Sequence, residues 1–335
     1  MKAVVIMAVR NGELYLEEAL ESIINQSICP DQVIIGDDNS TDASMDIIFR
    51  YCLRFDFISL VERSSQETLG VVSNFSRLAE VAVRQGADII LFADQDDVWS
   101  EKKLEVTLQA FSCFDVSELP PVLFHSDLRV VDRNLEVISE SYFSYTRLPD
   151  PRTAPHYRLY AQNNVTGCAA ACTPNLLKVA LPFPSEAVMH DWWLALVCES
   201  IGTFKFTDRA LVDYRQHSTN VLGAREAVER LPLVVALFRL MKNMPALLRH
   251  FVDCHEQLVA LCSRLKLHGI KPSDNLLQWR TIVDKSFVGR AMEGGIYANN
   301  PNCPYERMLI GIIVGITPLS VQCVRFWRKL HTYLL

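Results

Sequence analysis

The first hundred residues alternate between apolar runs of strand length and amphipathic runs of helix length. Apolar residues fill positions 3–9, whereas positions 14–26 carry them at 16, 19, 20, 23 and 24, the spacing of a helix with one buried face. The same alternation predicts further strands at 32–36, 57–61 and 88–93, and further helices at about 43–51 and 72–85. Strands and helices that alternate at this spacing predict an α/β fold with a mostly parallel sheet flanked by helices.

Beyond residue 100 the pattern is more mixed and then becomes helical. It predicts a helix over 101–113, a strand over 122–126, a proline-rich loop near 148–155 and a helix after Asp191. From about residue 226 the chain is helical in character, with several lysines and arginines and no acidic cluster. We therefore predict two domains, an α/β domain over residues 1–225 and a helical C-terminal region over residues 226–335.

The composition narrows the possible classes of protein and of binding partner. Half of the 335 residues are hydrophobic, which is enough for a sizeable core. The formal net charge of −6 gives no sign of the basic surface typical of nucleic-acid-binding proteins, so no nucleic-acid partner is expected. The ten cysteines include no CxxC pair, and several lie in apolar segments. This favours buried, reduced thiols in a cytoplasmic protein over a disulfide framework.

Carboxylates gather where two of the predicted strands end. The second strand runs into Asp37 and Asp38, and the fourth is followed by Asp94, Asp96 and Asp97. Because ligands of α/β sheets bind at the carboxyl ends of the strands, both clusters are expected at one rim of the sheet. Mg²⁺ and Mn²⁺ take carboxylate oxygens together with water and substrate phosphates, so the rim is a candidate metal site. Acidic turns and helix N-caps are the alternative use of such residues.

Four features give the chain a resemblance to a known family. They are the opening VVIMAVRNGELYLEEALESIINQS, the segment VIIGDDNSTD, the acidic loop FADQDDVW, and the pair MHDWWLAL and YRQHSTNVLG, together covering about residues 1–223. The chain resembles inverting glycosyltransferases of family 2 with the GT-A fold, and more narrowly the bacterial rhamnosyltransferase-like members that assemble surface polysaccharides. The resemblance implies a nucleotide-diphosphate sugar as donor, with dTDP-rhamnose expected, and a saccharide or lipid-linked acceptor.

The resemblance also implies roles for residues on the nucleotide side of the donor. Asp38 resembles the family aspartate that bonds the base of the nucleotide, and Asp37 resembles its supporting neighbour. Arg10, at the end of the first strand, is expected to line the same pocket. An ordinary turn-forming role is the alternative for both aspartates.

The diphosphate side is expected to hold the metal. Asp96 resembles the ligand of Mg²⁺ or Mn²⁺ in the family's DxD motif, and Asp94 its partner at the ribose or the metal, with Asp97 as a supporting group. Arg215 and His217 lie in the segment that closes over the donor in the resembling proteins. The arginine is expected to contact phosphate oxygens, and the histidine to approach the metal or the diphosphate.

The acceptor side is expected around Asp191. This residue falls where inverting members place the general base, which removes the proton of the acceptor hydroxyl as the new bond forms. Asp191 also precedes an apolar helix, and capping that helix is a second, compatible role. His190 and Trp192 flank it and are expected on the acceptor side, with a structural role as the alternative for the histidine.

The C-terminal region mixes long apolar stretches with basic residues. Such helices can lie in a membrane interface, which predicts peripheral contact with the inner face of the cell membrane. The alternative is packing on the catalytic domain or on a second subunit of a homo-oligomer. The apolar run over 308–322 is too short to span a bilayer as a straight helix.

Two other functions stay open on the sequence. A nucleotidyltransferase on a similar sheet would use the acidic loop to hold metal, and would need a glycine- and basic-rich loop after the first strand. Arg10-Asn11-Gly12 is a poor version of that loop. A non-catalytic carbohydrate-binding or assembly subunit would be expected to have lost its carboxylates, and Asp38, Asp94, Asp96 and Asp191 are all present.

Overall fold

The computed structural model describes residues 1–62, 67–154, 156–217 and 233–277. The chain separates into two units, Met1–Ala227 and Val228–Leu335. The sequence predicted a division between residues 225 and 226. The end of the YRQHSTNVLG segment, residues 218–223, lies outside the described residues.

The described part of the first unit contains nine strands and seven α-helices. The strands are β1 Ala3–Val9, β2 Gln32–Asp37, β3 Ile58–Leu60, β4 Ile89–Ala93, β5 Val98–Trp99, β6 Val122–Val131, β7 Val137–Ser139, β8 Ala170–Cys172 and β9 Thr203–Arg215. The helices are α1 Leu16–Ile24, α2 Ser44–Arg54, α3 Val71–Arg84, α4 Lys103–Phe111, α5 Tyr142–Thr146, α6 Pro174–Ala180 and α7 His190–Ile201. The elements predicted before residue 113 are all present, with ends that differ by a few residues.

The strands form one sheet in the order β3-β2-β1-β4-β8-β6-β9-β5, and β7 pairs with β6. Strands β1 to β4 run parallel, as the strand–helix alternation predicted. Strand β8 is antiparallel to both β4 and β6, while β6 and β9 are parallel to each other. The predicted α/β class is confirmed. The antiparallel strands were not predicted, because β5 and β8 are too short to show a periodic pattern.

The burial of the first strands explains why their sequences are continuous apolar runs. Strands β1 and β4 lie in the interior of the sheet, and every residue of β4 is buried. A strand covered by helices on both faces gains nothing from polar residues at alternate positions. The helices before residue 90 show the complementary pattern, since in α1 only one stripe is buried, formed by Leu16, Ala19, Leu20 and Ile23.

The sheet brings several strand ends to one rim. In the register of β1 with its neighbours, Val9 pairs with Asp37 of β2, and Met7 pairs with Ala93 of β4. Just after β4, Val98 of β5 pairs with Asp213 near the end of β9. Residues 94–97 are therefore held between β4 and β5, beside the end of β9. This pairing brings the chain near residue 215 to the acidic loop.

The second unit contains helix α8, Leu233–Leu267. Its buried residues Cys254, Leu258, Leu261 and Leu265 recur at helical spacing, so this part of the helix has one apolar face. Among the described helices, none combines the length and apolar character that crossing a membrane requires. The apolar run at 308–322 lies outside the described residues, and the membrane or oligomer contact of residues 226–335 stays a prediction.

Candidate active site

The acidic loop, defined here as residues 94–97, has two sides that differ in burial. The Asp96 side chain is 18% exposed, and its Oδ2 lies 2.9 Å from Nε2 of His217. Asp97 is only 1% exposed. Its carboxylate, that of Asp94 and the Cys168 thiol present ligand atoms within 4.8 Å of one another. We name Asp96 and His217 the outer pair, and Asp94, Asp97 and Cys168 the inner cluster.

The outer pair fits a divalent cation. Oδ2 of Asp96 and Nε2 of His217 form a hydrogen-bonded pair at 2.9 Å. This separation also matches the roughly 3 Å between neighbouring ligand atoms of an octahedral site with ligands at about 2.0–2.1 Å. The ring of Tyr15 lies against the histidine, with ring centroids 4.9 Å apart, and fixes its orientation. The structure thus brings together two of the three residues predicted to bind metal.

The inner cluster suits a hard cation less well. Burial, followed by repulsion from Asp96, raises the pKa of Asp97 to about 7. Burial also raises the pKa of Asp94 well above its usual range, with further contributions from the neighbouring carboxylates, and raises that of the Cys168 thiol. A buried thiol is a poor ligand for Mg²⁺ or Mn²⁺, which prefer oxygen. Asp94, predicted as a partner of Asp96 at the metal, is grouped by the structure with Asp97 and Cys168.

Lys103 is a residue of this site that sequence reasoning missed. It begins α4 and is 1% exposed. Its Nζ donates a hydrogen bond to the Cys168 carbonyl and lies 3.4 Å from the centroid of the Trp99 ring. Burial lowers the pKa of Lys103 to about 7, although Cys168, Asp97 and Asp94 favour its charged form. The Cys168 carbonyl and the face of Trp99, which both favour a positive charge, thus hold a cationic side chain beside the inner cluster.

Arg215 differs from its predicted role. Its side chain is 2% exposed and lies over the ring of Tyr15, 4.5 Å from the centroid. Its Nε donates to the Asp96 carbonyl at 2.8 Å, its Nη1 to the Arg133 carbonyl at 2.7 Å, and its Nη2 to the Glu18 carboxylate. Each nitrogen of the guanidinium thus binds protein. The structure gives Arg215 the part of holding the acidic loop in place of the expected phosphate contact.

The two aspartates at the end of β2 are used differently. Asp38 is 3% exposed, and its carboxylate accepts the N–H groups of Leu69 at 2.7 Å and Gly70 at 2.9 Å. It therefore fastens the turn before α3. Asp37 accepts the N–H of Ser40 through Oδ2, while its buried Oδ1 has no hydrogen-bond partner among the described residues. The acceptor atom left for a ligand belongs to Asp37, which the sequence had placed in the supporting role.

Arg10 lies at the same rim with an exposed side chain. Its backbone is tied to the acidic loop, because its N–H donates to Oε1 of Gln95 at 2.8 Å and its carbonyl accepts from Nε2 of that residue at 3.0 Å. A Cβ on Gly12 would lie 2.7 Å from Gln95 Oε1. The glycine therefore permits the close approach of the β1 turn to the loop.

Asp191 is the second residue of α7 and is 6% exposed. Its Oδ2 accepts the N–H of Gly167 at 2.8 Å, and its Oδ1 accepts from Nδ2 of Asn163 at 3.1 Å and from the N–H of Trp192 at 2.6 Å. Burial raises its pKa to about 6, against the opposing effect of these hydrogen bonds. A fixed carboxylate with a pKa near neutrality is suited to accept a proton.

His190 and Trp192 lie in the core, away from the acceptor-side contacts predicted for them. The His190 ring is 2% exposed and packs against the rings of Phe75 and Phe92, at centroid distances of 4.1 and 5.3 Å. Burial lowers its pKa to about 3, so the imidazole is neutral. Trp192 is 4% exposed and donates its Nε1 hydrogen to the Leu159 carbonyl at 2.6 Å. The difference arises because the first turns of α7 are buried on all sides.

A short 3₁₀ turn, Gly167–Ala169, connects the Asp191 carboxylate to the inner cluster. Gly167 binds Asp191 through its N–H, and the next carbonyl, that of Cys168, accepts the hydrogen bond from Lys103. A Cβ on Gly167 would lie 2.5 Å from Nε2 of His190, so a glycine is required for this packing. Sequence reasoning assigned this turn no role.

Comparison with known proteins relates this chain to glycosyltransferases. Residues 4–157 match the family model "Glycosyl transferase family 2". The dTDP-rhamnosyl transferase RfbG of Shigella flexneri is 26% identical over 229 residues, which cover 65% of this chain and 74% of the relative. The minor teichoic acid biosynthesis protein GgaB of Bacillus subtilis is 34% identical over 161 residues, which cover 46% of this chain but only 17% of the relative.

A solved structure shares the fold. The mannosyltransferase PcManGT from Pyrobaculum calidifontis, in complex with GDP-Man and Mn²⁺, superposes with a TM-score of 0.51 at 15% identity. The match covers 99% of this chain and 84% of that protein. At this identity the likeness concerns the fold. The resemblance predicted from the sequence motifs is confirmed over this stretch, because residues 4–157 match glycosyl transferase family 2.

Proposed function

We propose that this protein is an inverting, metal-dependent glycosyltransferase that moves a sugar from a nucleotide-diphosphate sugar to a saccharide or lipid-linked acceptor in surface polysaccharide synthesis. The observation that carries the proposal is the position of Asp191 beside the acidic loop. Its charge is one of those that raise the pKa of Asp94. The Gly167–Ala169 turn contacts Asp191 on one side and Lys103 on the other. A proton acceptor and a candidate cation-binding loop thus lie close together, as sugar transfer requires.

The proposed reaction assigns the proton to Asp191. An acceptor hydroxyl attacks the anomeric carbon from the side opposite the leaving group, and its proton passes to the Asp191 carboxylate. The bond from the anomeric carbon to the phosphate oxygen breaks, and its electron pair leaves with the nucleoside diphosphate. The configuration of the anomeric carbon is inverted in this single displacement. The raised pKa of Asp191 makes it a stronger base than an ordinary aspartate while leaving it ionised above pH 6.

The outer pair is the proposed binding site for Mg²⁺ or Mn²⁺. When bound, such an ion supplies positive charge to the diphosphate as negative charge develops on the leaving group. Asp96 and His217 hold the ion, and Arg215 fixes the loop through the Asp96 carbonyl. The chain therefore provides both the proposed ligands and the contact that orients them.

The nucleotide is proposed to bind near the ends of β1 and β2. The buried Oδ1 of Asp37 is available to accept a hydrogen bond from a base, and Arg10 projects from the same rim. Asp38 contributes indirectly, by holding the turn at Leu69 and Gly70. The predicted contact of Asp38 with the base is thereby reassigned to its neighbour.

The proposed donor is dTDP-rhamnose. Support comes from RfbG, a protein named as a dTDP-rhamnosyl transferase, whose alignment covers 74% of its length. The second relative, GgaB, is named for minor teichoic acid biosynthesis and not for a rhamnosyl donor, so other nucleotide sugars belong in the same test.

A donor screen tests the proposed function. Purified protein with Mn²⁺ is incubated with dTDP-rhamnose, UDP-glucose, UDP-GlcNAc or GDP-mannose, and release of the nucleoside diphosphate is measured. The expected result is hydrolysis of one donor, dTDP-rhamnose, that stops when Mn²⁺ is chelated. Absence of release from every donor, combined with no thermal stabilisation by any nucleoside diphosphate, would contradict the proposal.

The turn after β1 argues against a nucleotidyltransferase. A triphosphate cradle needs free backbone N–H groups. Here those of residues 10 to 13 donate to the side chains of Gln95, Ser40, Ser44 and Asp42. Release of pyrophosphate from a nucleoside triphosphate in the same assay would favour this alternative. The retained carboxylates of the acidic loop and Asp191 argue in turn against a non-catalytic subunit.

A further inference from the structure

Lys103 occupies a position that is unfavourable for a lysine on two grounds. Its side chain is 1% exposed, and lysine is seldom fully buried without a partner. It is the first residue of α4, where the positive end of the helix dipole repels a cation. Its exposed neighbour Lys102 shows that this stretch of chain can place a lysine in water. The cost of burial must therefore be offset by what surrounds the ammonium group.

The surroundings of Lys103 form a cation site made by the protein. The Cys168 carbonyl accepts its hydrogen bond, and the face of Trp99 lies 3.4 Å away, an arrangement that stabilises a positive charge. The carboxylates of Asp94 and Asp97 add attraction from the acidic loop. The Asp97 carboxylate also accepts the N–H of Arg215 at 2.9 Å and a hydrogen bond from the Cys168 thiol, so Lys103 adds a positive charge to a group that is already hydrogen-bonded.

We propose that Lys103 is a positioning residue whose ammonium group is the protein's own cation at the inner cluster, which leaves the outer pair as the place where a divalent cation binds. This inference rests on the proposed function only in naming the outer pair as the metal site. At the inner cluster the positive charge belongs to the chain, whereas the outer pair binds one from solution. The acidic loop keeps its conformation in the metal-free protein because this internal cation balances the buried Asp97 and the half-buried Asp94.

The proposal predicts that removing the ammonium group creates a metal site. In Lys103→Ala the inner cluster keeps two carboxylates and a thiol and loses the neighbouring positive charge that repels an ion. A ligand set containing a thiolate prefers a soft cation such as Cd²⁺. Cd²⁺ binding is measured without donor, by the ultraviolet absorption of cadmium–thiolate bonds. Lys103→Ala should bind Cd²⁺ at least about tenfold more tightly than the wild type, on the scale of interactions between nearby charges.

Three controls make the result specific. Lys102→Ala removes the same charge one residue away, at the surface, and should match the wild type. The double variant Lys103→Ala/Cys168→Ser should lose the added absorption, which separates Cys168 from the exposed Cys29 and Cys113. Thermal unfolding shows which variants are folded.

Lys103→Met keeps the test decisive if the alanine variant does not fold. It fills nearly the same space without charge and so avoids the cavity that alanine would leave. Mn²⁺ binding, measured without donor by electron paramagnetic resonance, should tighten severalfold because one repelling charge is gone. A role in packing alone would leave Mn²⁺ affinity unchanged or weaken it. Unchanged Cd²⁺ binding in a folded Lys103→Ala, or unchanged or weaker Mn²⁺ binding in Lys103→Met, would overturn the proposal. Neither outcome depends on sugar transfer, so each is distinguishable from failure of the proposed function.

Discussion

The outer pair and the inner cluster take their carboxylates from the same four-residue loop but differ in their exposure to water. Asp96 and His217 keep side-chain exposures of 18% and 10%, whereas Asp97 is 1% exposed and lies in the inner cluster, beside a lysine buried to the same extent. A divalent cation in an enzyme usually keeps water or substrate ligands, so it needs the open side. The buried Asp97 needs a nearby positive charge that belongs to the chain, and Lys103 supplies it. Asp94 is half-buried like Asp96, and its place in the inner cluster follows from its nearness to Asp97 and Cys168.

The largest effect is expected from a change that leaves both sides of the loop intact. Asp191→Asn removes the proposed base and preserves its size, so transfer should fall by about 10²–10⁴-fold, the usual contribution of general base catalysis. Donor binding and Mn²⁺ affinity should stay at wild-type values, measured by calorimetry. Equal loss of donor binding and transfer would assign Asp191 a structural role through its bonds to Gly167 and Asn163.

Breaking the outer pair should have the next largest effect. Asp96→Ala removes a proposed metal ligand, and Mn²⁺-dependent donor hydrolysis should fall by at least about a hundredfold, the scale of losing one electrostatic stabiliser. Asp56→Ala removes an exposed carboxylate elsewhere on the domain and serves as the matched control. Full activity in Asp96→Ala would contradict the assignment of the outer pair.

The pH dependence should report Asp191. Because burial raises its pKa to about 6, transfer should be constant above that value and fall about tenfold per pH unit below it, as the base becomes protonated. The same shift means that ionised Asp191 carries a folding cost above pH 6. Lowering the pH through 6 should therefore stabilise the wild type relative to Asp191→Asn. A rate profile that stays flat down to pH 5 would exclude Asp191 as the base.

His217→Ala should give the smallest of these effects. The imidazole is one of the two proposed protein ligands, and Asp96 remains in this variant. The Mn²⁺ concentration for half-maximal activity should therefore rise about tenfold or more, at least the loss of metal affinity that follows removal of an outer-shell partner. The maximal rate at saturating Mn²⁺ should change less. A matched control is His156→Ala, which removes an exposed histidine far along the chain. Identical Mn²⁺ dependence in the two variants would remove the histidine from the metal site.

The rim of the sheet could be predicted from the sequence for a simple reason. Parallel strands end together, so the aspartates after β2 and β4 had to lie at one edge. Which of these aspartates binds a ligand and which stabilises the fold could not be predicted. Asp38 looked like the ligand-binding residue, yet the N–H groups of Leu69 and Gly70 take its oxygens, and a contact across 31 residues leaves no local signal.

The buried cations escaped prediction for the same reason. A lysine in the pair Lys102-Lys103 at the start of a helix looks exposed, and its burial depends on Cys168, which lies 65 residues away. Arg215 looked suited to bind phosphate, but Glu18 of α1, 197 residues earlier, pairs with it. The one early signal was the apolar character of α7, whose lack of a polar face already argued for a buried His190 and Trp192.

The most direct test of the two-sided loop is a crystal of the protein grown with Mn²⁺ and a nucleoside diphosphate, examined by the anomalous scattering of manganese. We predict one peak in the site, bonded to Oδ2 of Asp96 and Nε2 of His217, and none among Asp94, Asp97 and Cys168. A manganese peak within the inner cluster, with Lys103 displaced from the Cys168 carbonyl, would contradict the account.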